Sequence, residues 1–473
     1  MPAFTARSTF NGSGGALPPF LFEVNMKTIA AISTPDAAGG IAMIRISGPE
    51  SLRIADEIFT AANGTKVTEM RGYTCAYGTV SDGSEILDDV VLTVFRAPHS
   101  YTGEDTVEIT CHGGIYLTKR ILMTVYLHGA DPAGAGEFTK RAFLNGKLSL
   151  SQAESVMDVI QADGESALRL ANYAKSGRLG TEMEHISSEL VDLMSALAYW
   201  LDDAEECPPE LERGTLTVQL SRICTHLREM SARYQDGLVL RSGIRTVLLG
   251  KPNAGKSSVM NWLCGTNRSI VTEIAGTTRD VVTEQVKIGV YTLLLSDTAG
   301  LRETENAIEA IGISQAYLEL DKADLVLYVV DADAGMSGED LDVLKKCRGR
   351  RTVLIWNKTD LTTTPPPQTD IPVVQIAAIR ETNTEQLEKV LSAFFGGGVN
   401  MTAAAPLTER QNLLICRAAE AVGHAADMAE CGAELDMMYA DLERAAKCLR
   451  EIEGKEVTED VIDGVFSKFC VGK

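Results

Sequence analysis

A chain of 473 residues exceeds one ordinary core and calls for two or three domains. Its 45% apolar and 23% charged residues are the balance of a soluble globular protein, and no uninterrupted apolar run reaches membrane-spanning length, so a cytoplasmic protein without a membrane span is expected. The net charge of −21 argues against strong RNA binding by this chain alone, because such binding rests on Lys and Arg neutralising phosphates.

Residues 1–26 are rich in Gly, Ser and Pro, lack the pattern of a secretory leader and end at a second methionine, Met26, so they read as an extension or tag. From 27 to 145, β-rich runs such as Gly40–Ile46 and Val90–Phe95 alternate with helical segments such as Ile115–Leu127, which predicts an α+β domain. From 146 to 242 the apolar residues fall at helical spacing, as in Leu190, Leu193, Met194, Leu197 and Leu201, and a helical domain is expected. Between 243 and 398, short aliphatic runs recur between helical stretches: Thr246–Leu249, Leu293–Leu295, Leu325–Val330, Val353–Trp356 and Val373–Ile376. Buried strands alternating with helices predict an α/β layer on a mostly parallel sheet. Helical patterning returns over 399–473, so the α/β unit reads as an insertion into a two-segment helical domain. The ten cysteines are scattered singly with no C-x-x-C pair, which argues against both a disulfide framework and a zinc knuckle.

The inserted segment carries the clearest chemistry. Gly250-Lys251-Pro252-Asn253-Ala254-Gly255-Lys256-Ser257 follows a β-run and opens a helical stretch, the context a P-loop requires. Asn253, Ala254, Gly255, Lys256, Ser257 and Ser258 are therefore expected phosphate contacts, with Lys256 reaching the β- and γ-phosphates and the Ser257 hydroxyl on Mg²⁺. Asp297-Thr298-Ala299-Gly300 ends the Leu293–Leu295 run, putting Asp297 near the Mg²⁺ shell and the Gly300 N–H near a γ-phosphate. Asn357-Lys358-Thr359-Asp360 ends the next-but-one strand, and a carboxylate at Asp360 accepts both N–H groups of the guanine edge, an arrangement adenine lacks. Three motifs in this order predict a GTP site and disfavour an ATP-driven enzyme. Thr278, in Gly276-Thr277-Thr278-Arg279-Asp280, is the expected second Mg²⁺ hydroxyl of a switch segment. Leu301 follows the Asp-Thr-Ala-Gly motif where many GTPases place a water-orienting glutamine, so another residue must orient the water, and Glu309 is the nearby candidate.

These motifs and their flanks resemble the MnmE (TrmE) family of tRNA modification GTPases over Lys27 to Lys473. The specific marks are Ile44–Pro49, Ser100–Asp105, His112-Gly113-Gly114, Gly136–Lys147, Gly276–Asp280 and Phe469-Cys470-Val471-Gly472-Lys473. The resemblance implies a homodimer formed through an N-terminal α+β domain that binds a tetrahydrofolate donor, 5,10-methylenetetrahydrofolate or 5-formyltetrahydrofolate, and a Ras-like GTPase domain inserted in the helical domain. It implies a heterotetramer with the FAD-binding MnmG (GidA) protein, which holds most of the tRNA while an aminomethyl or carboxymethylaminomethyl group is added at carbon 5 of U34. It assigns Arg45, Glu108, Lys147 and Lys473 to folate, and K⁺ to Asn253, Thr272, Ile274 and Thr277. It also makes Glu309 the water-positioning residue and Cys470 a candidate catalytic thiol.

Two positions depart from the family pattern: Ala38 stands where an arginine is usual, and Ala377-Ala378 where a Ser-Ala pair normally contacts the base. The competing function is a regulatory GTPase switch in ribosome assembly, with the N-terminal domain as a docking module. Such a module needs no folate pocket, so Arg45, Glu108 and Lys147 separate the two.

Overall fold

The computed structural model describes residues 27–162, 164–202, 212–266, 283–296, 320, 323–378, 384–395, 405–432 and 435–473. The chain divides into two compact units, one of residues 27–153 with 457–473 and the other of residues 154–456.

The first unit is built on a seven-stranded sheet of β1 (Ile29–Ile32), β2 (Ile41–Ser47), β3 (Phe59–Ala61), β4 (Thr74–Ser81), β5 (Ile86–Phe95), β6 (Thr106–His112) and β7 (Asp131–Pro132), in the order β3-β4-β5-β6-β2-β1-β7. All neighbours are antiparallel except β1 and β7. Alternation sorts the faces: Ala42, Ile44 and Ile46 of β2 and Val107, Ile109 and Cys111 of β6 enter one core, beneath α1 (Ser51–Ile58) and α2 (Ile115–Leu127). The opposite face carries Arg45, Glu108, Val91 and Tyr77, the last two directly paired and exposed at 41% and 60%.

Residues 457–473, expected within the helical segment 399–473, group by contact with residues 27–153 in the first unit. The C-terminal helix Glu459–Phe466 buries Ile462 and Phe466, and Phe466 stacks near Phe143 of α3 (Glu137–Leu144) with ring centroids 6.3 Å apart. Burying each such Phe contributes about 1.5–3 kcal/mol. Gly136, with φ 62°, makes the approach possible: a Cβ there would stand 2.8 Å from Phe469 Cβ and 2.9 Å from the Phe466 carbonyl oxygen.

In the second unit, α4 (Leu150–Gln161), which begins in the first, and α5 (Glu165–Lys175) precede the long α6 (Arg178–Asp202) and α7 (Arg213–Ser242). Leu190, Leu193 and Leu197 of α6 and Leu220, Leu227 and Met230 of α7 share one core with residues of both returning helices, Glu409–Cys431 and Leu435–Ile452. The two helical segments thus pack on each other across the insertion. Their junction is tied by Glu154 of α4, whose carboxylate accepts from Arg410 at 2.8 and 3.0 Å and from Gln411 at 2.6 Å.

The insertion is a six-stranded sheet of β8 (Ile244–Gly250), β9 (Thr283–Ile288), β10 (Tyr291–Ser296), β11 (Leu325–Asp331), β12 (Thr352–Asn357) and β13 (Val373–Gln375), ordered β13-β12-β11-β8-β10-β9. Only the β9–β10 hairpin is antiparallel. β11 is buried along Leu325–Val330, as expected of a parallel strand covered on both faces. Among the described residues no helix is long and apolar enough to cross a membrane.

Candidate functional site

β8 delivers the P-loop to the first turn of α8 (Lys256–Thr266). Gly250, at φ 148°, has no room for a side chain, since a Cβ would lie 2.3 Å from the Val329 carbonyl oxygen of β11. Asn253 turns the loop in the left-handed region at φ 64°, a conformation Asn tolerates better than most residues. Lys256 Nζ donates to the carbonyls of Gly250 and Lys251 at 2.9 and 2.8 Å, and burial lowers its pKa below the ordinary lysine value. A lysine so desolvated gains from an incoming phosphate. Ser257 is exposed and Ser258 half-buried on the first helical turn, while Ala254 is buried.

The Asn-Lys-Thr-Asp segment leaves β12 beside this loop. Asn357 is buried, and its Nδ2 donates to the Ala254 carbonyl at 3.1 Å while Oδ1 accepts from Ala378 N–H at 3.4 Å. Lys358, itself at φ 63°, donates from Nζ to the Asn253 carbonyl at 3.0 Å and to Asp331 at 2.6 Å. Left-handed backbone is costly for lysine and persists where such contacts hold it. Asp360 is half-buried. Ala377 and Ala378 are both buried, and the Ala378 amide already serves Asn357.

Thr272, Ile274, Thr277 and Thr278, and likewise Asp297, Thr298, Ala299, Gly300 and Glu309, lie outside the described residues. The described strand β10 ends at Ser296, paired in parallel with Val247 of β8.

A second cluster occupies the first unit. Arg45 and Glu108 face each other across β2 and β6, and Arg45 Nε donates to Glu108 Oε1 at 2.8 Å, the side chains being 12% and 20% exposed. The guanidinium stands 5.7 Å from the Tyr101 ring centre and 5.5 Å from that of Phe138, so two aromatic rings border the pair. Tyr101 in turn hydrogen-bonds Thr139 at 2.9 Å, and burial raises its pKa. Lys147 Nζ donates to the Pro98 carbonyl at 3.0 Å and is exposed. The tail runs past α3: Phe138 N–H donates to the Lys473 carbonyl oxygen at 3.1 Å, Gly136 N–H to the Cys470 carbonyl at 3.3 Å, and Ser33 Oγ to the Gly472 carbonyl at 3.0 Å. Cys470 is exposed. Ala38 is exposed as well.

Sequence reasoning did not single out Phe138, Tyr101, Glu104 or Arg141. Arg141, 5% exposed, bridges Glu104 at 3.2 Å and Glu137 at 2.8 Å, and Ser47 Oγ donates to Glu104 at 2.7 Å. Their only signal was membership of the Ser100–Asp105 and Gly136–Lys147 stretches.

Residues 28–147 match the family described as GTP-binding protein TrmE N-terminus, and residues 150–470 match the MnmE helical domain. The chain is 36% identical over 454 residues to the tRNA modification GTPase MnmE of Clostridioides difficile (strain 630), an alignment covering 94% of this chain and 99% of that protein. The proteins of the same name from Bacillus subtilis (strain 168) and Geobacillus thermodenitrificans (strain NG80-2) are 36% and 37% identical, covering 95% and 94% of this chain and 100% and 99% of their own lengths. With both cluster geometries in place and near-complete coverage of both chains, this protein belongs to the MnmE family of tRNA modification GTPases.

Proposed function

We propose that this chain is the GTP-hydrolysing component of a system that adds an aminomethyl or carboxymethylaminomethyl group at carbon 5 of the tRNA wobble uridine, using a one-carbon unit from tetrahydrofolate. The observation that carries the reading is the Arg45–Glu108 pair bordered by Tyr101 and Phe138, with the Cys470–Lys473 tail hydrogen-bonded alongside Phe138. A pterin is flat and aromatic with N–H donors on one edge. Glu108 suits those donors, the rings suit its faces, and Arg45, Lys147 and Lys473 suit the glutamate carboxylates. Arg45 occupies only part of the Glu108 carboxylate, which leaves acceptor capacity for a ligand.

For the nucleotide, the P-loop amides and Lys256 hold phosphate, and Asp360 selects guanine. Ser257 and Thr278 would hold Mg²⁺ with Asp297 in its outer shell, and Asn253, Thr272, Ile274 and Thr277 would hold K⁺. Bound there, the cations would supply positive charge to the transferring phosphoryl group, the role an arginine finger plays in other GTPases. Glu309 orients the attacking water, since Leu301 cannot. Cys470 is exposed beside the folate cluster and is the candidate thiol for the modification chemistry.

The exposed part of the first sheet's Arg45-bearing face, with Tyr77, Val91 and Ile41 exposed at 60%, 41% and 67%, supports homodimerisation through this unit. With a charge of −21 the chain needs a partner to hold tRNA, and the FAD-binding MnmG protein fills that role in the cytoplasm.

Calorimetry with 5-formyltetrahydrofolate tests the reading: the wild type binds, Glu108→Ala loses binding, and hydrolysis runs in K⁺ and is poor in Na⁺. Absence of folate binding by the wild type overturns the modification assignment and favours a regulatory switch. Equal hydrolysis in the two salts removes the K⁺ assignment.

A further inference from the structure

Lys251 is the P-loop lysine that the phosphate assignments leave unused. Its Nζ lies 2.5 Å from Ser337 Oγ, 2.8 Å from Glu339 Oε2 and 3.6 Å from Asp340 Oδ2. These residues form the N-cap and first turn of α9 (Gly338–Lys346), where Ser337 and Asp340 make a reciprocal capping box. The Asp340 carboxylate is 4% exposed and accepts from Ser337 N–H at 2.8 Å, from Ser337 Oγ at 2.7 Å and from the Tyr328 hydroxyl of β11 at 2.8 Å. Ser337 and Asp340, two of the three groups around the Lys251 ammonium, are therefore fixed by the sheet behind them, while Glu339 is exposed. Hydrogen bonding to Glu339 raises the Lys251 pKa, so the ammonium stays charged.

The loop backbone is held by Lys256 at the Gly250 and Lys251 carbonyls, by Lys358 at the Asn253 carbonyl and by Asn357 at the Ala254 carbonyl. Those three side chains tie the loop to itself and to the segment after β12. Lys251 adds a side-chain tie from the entry corner, directly after the glycine packed against β11, to a different element, α9. The Lys251 side chain points to α9, whereas that of Lys256 lies on the Gly250 and Lys251 carbonyls.

We infer that Lys251 is a positioning residue for the nucleotide: its ammonium fixes the entry corner of the P-loop to the start of α9, so the loop amides are set before a phosphate arrives. This rests on the guanine-nucleotide reading of the site and deepens it. Because the tether acts on the loop rather than on the γ-phosphate, its loss weakens GDP and GTP alike and leaves the chemical step unchanged.

The test uses the full chain and two probes, mant-GDP and a non-hydrolysable mant-GTP analogue. Lys251→Met is expected to weaken both by about fivefold, the scale of a partly exposed but hydrogen-bonded ion pair. Single-turnover hydrolysis at saturating GTP stays within about twofold of wild type. Lys251→Arg restores affinity. The double variant Ser337→Ala with Glu339→Gln reproduces the loss from the opposite side, and adding Lys251→Met to it costs little more, because one interaction is removed twice. Unchanged affinity in Lys251→Met, or losses that simply add, overturns the tether. A wild-type chain that binds neither probe overturns the guanine-nucleotide site itself, and the tether with it.

Discussion

Asn357→Ala probes the lock between the guanine motif and the P-loop. Asn357 is 1% exposed, and its truncation removes the 3.1 Å bond to the Ala254 carbonyl and the 3.4 Å bond from the Ala378 amide. Both orphaned groups belong to buried residues, Ala254 at 4% and Ala378 at 8% exposure. A buried unsatisfied group costs about 1–3 kcal/mol, and the longer bond sits at the weak end, so the total is about 2–3 kcal/mol. Much of it falls on nucleotide binding, because Ala254 recovers a partner only by moving the P-loop away from its binding geometry. At about 1.4 kcal/mol per factor of ten, affinity for mant-GDP drops between about tenfold and a hundredfold. Asn357→Asp sets a carboxylate oxygen against the Ala254 carbonyl where a donor stood, and loses at least as much. Fluorescence titration with mant-GDP, beside thermal melting of the nucleotide-free chain, measures both components. Affinity within twofold of wild type together with an unchanged melting temperature in Asn357→Ala would refute the lock.

Asp360→Asn should weaken GTP and favour xanthosine nucleotide, because the amide offers a donor where guanine needs an acceptor; competition binding reads this directly, and unchanged GTP affinity removes the assignment. Glu309→Ala should slow single-turnover hydrolysis in K⁺ by roughly 10²-fold, about 3 kcal/mol of barrier, with GTP affinity nearly intact, whereas a solvated surface charge changes the rate by less than about twofold. Asp88 hydrogen-bonds the His112 ring nitrogen Nδ1 at 2.7 Å and raises its pKa. A raised folded pKa stabilises the fold fully below the unfolded value of about 6.5, and that contribution fades as pH climbs through the folded value. In Asp88→Asn the His112 resonance should titrate at lower pH than in wild type, and an unmoved titration rejects the pairing.

Elements whose partners are local were legible. Ile115–Leu127 was read as helical and forms α2 over those residues, and the unbroken aliphatic run of Leu325–Val330 announced a strand covered on both faces. The edge strand Thr283–Ile288 went unread because Thr-Glu-Gln-Val-Lys-Ile offers little apolar signal outside its hairpin with β10. The P-loop and the guanine motif were plain since each sits at a strand end, but the tie from Asn357 to Ala254 depends on β12 and β8 flanking β11, which no local pattern reveals. Likewise Arg45 and Glu108 were named separately. Their mutual ion pair follows from the β2–β6 register, and the aromatic border at Phe138 from a helix, α3, that begins more than 90 positions beyond Arg45. Helical periodicity in Glu459–Phe466 gave a helix without naming its core. That choice turns on the missing side chain of Gly136.

The hydrogen bond between Ser33 and Gly472 spans 439 positions, and it carries a temporal consequence for biosynthesis. At roughly 5–20 residues per second, synthesis of the intervening chain lasts about 20–90 s, so β1 and β2 emerge long before the tail that borders them. Once α3 has been made, the surface meant for Phe466 and Phe469 stands open to solvent while the helical and nucleotide-binding parts are synthesised. Completion of the first unit is therefore a late, long-range closure, and nascent chains at that stage are the ones most exposed to chaperone capture or to misdirected association.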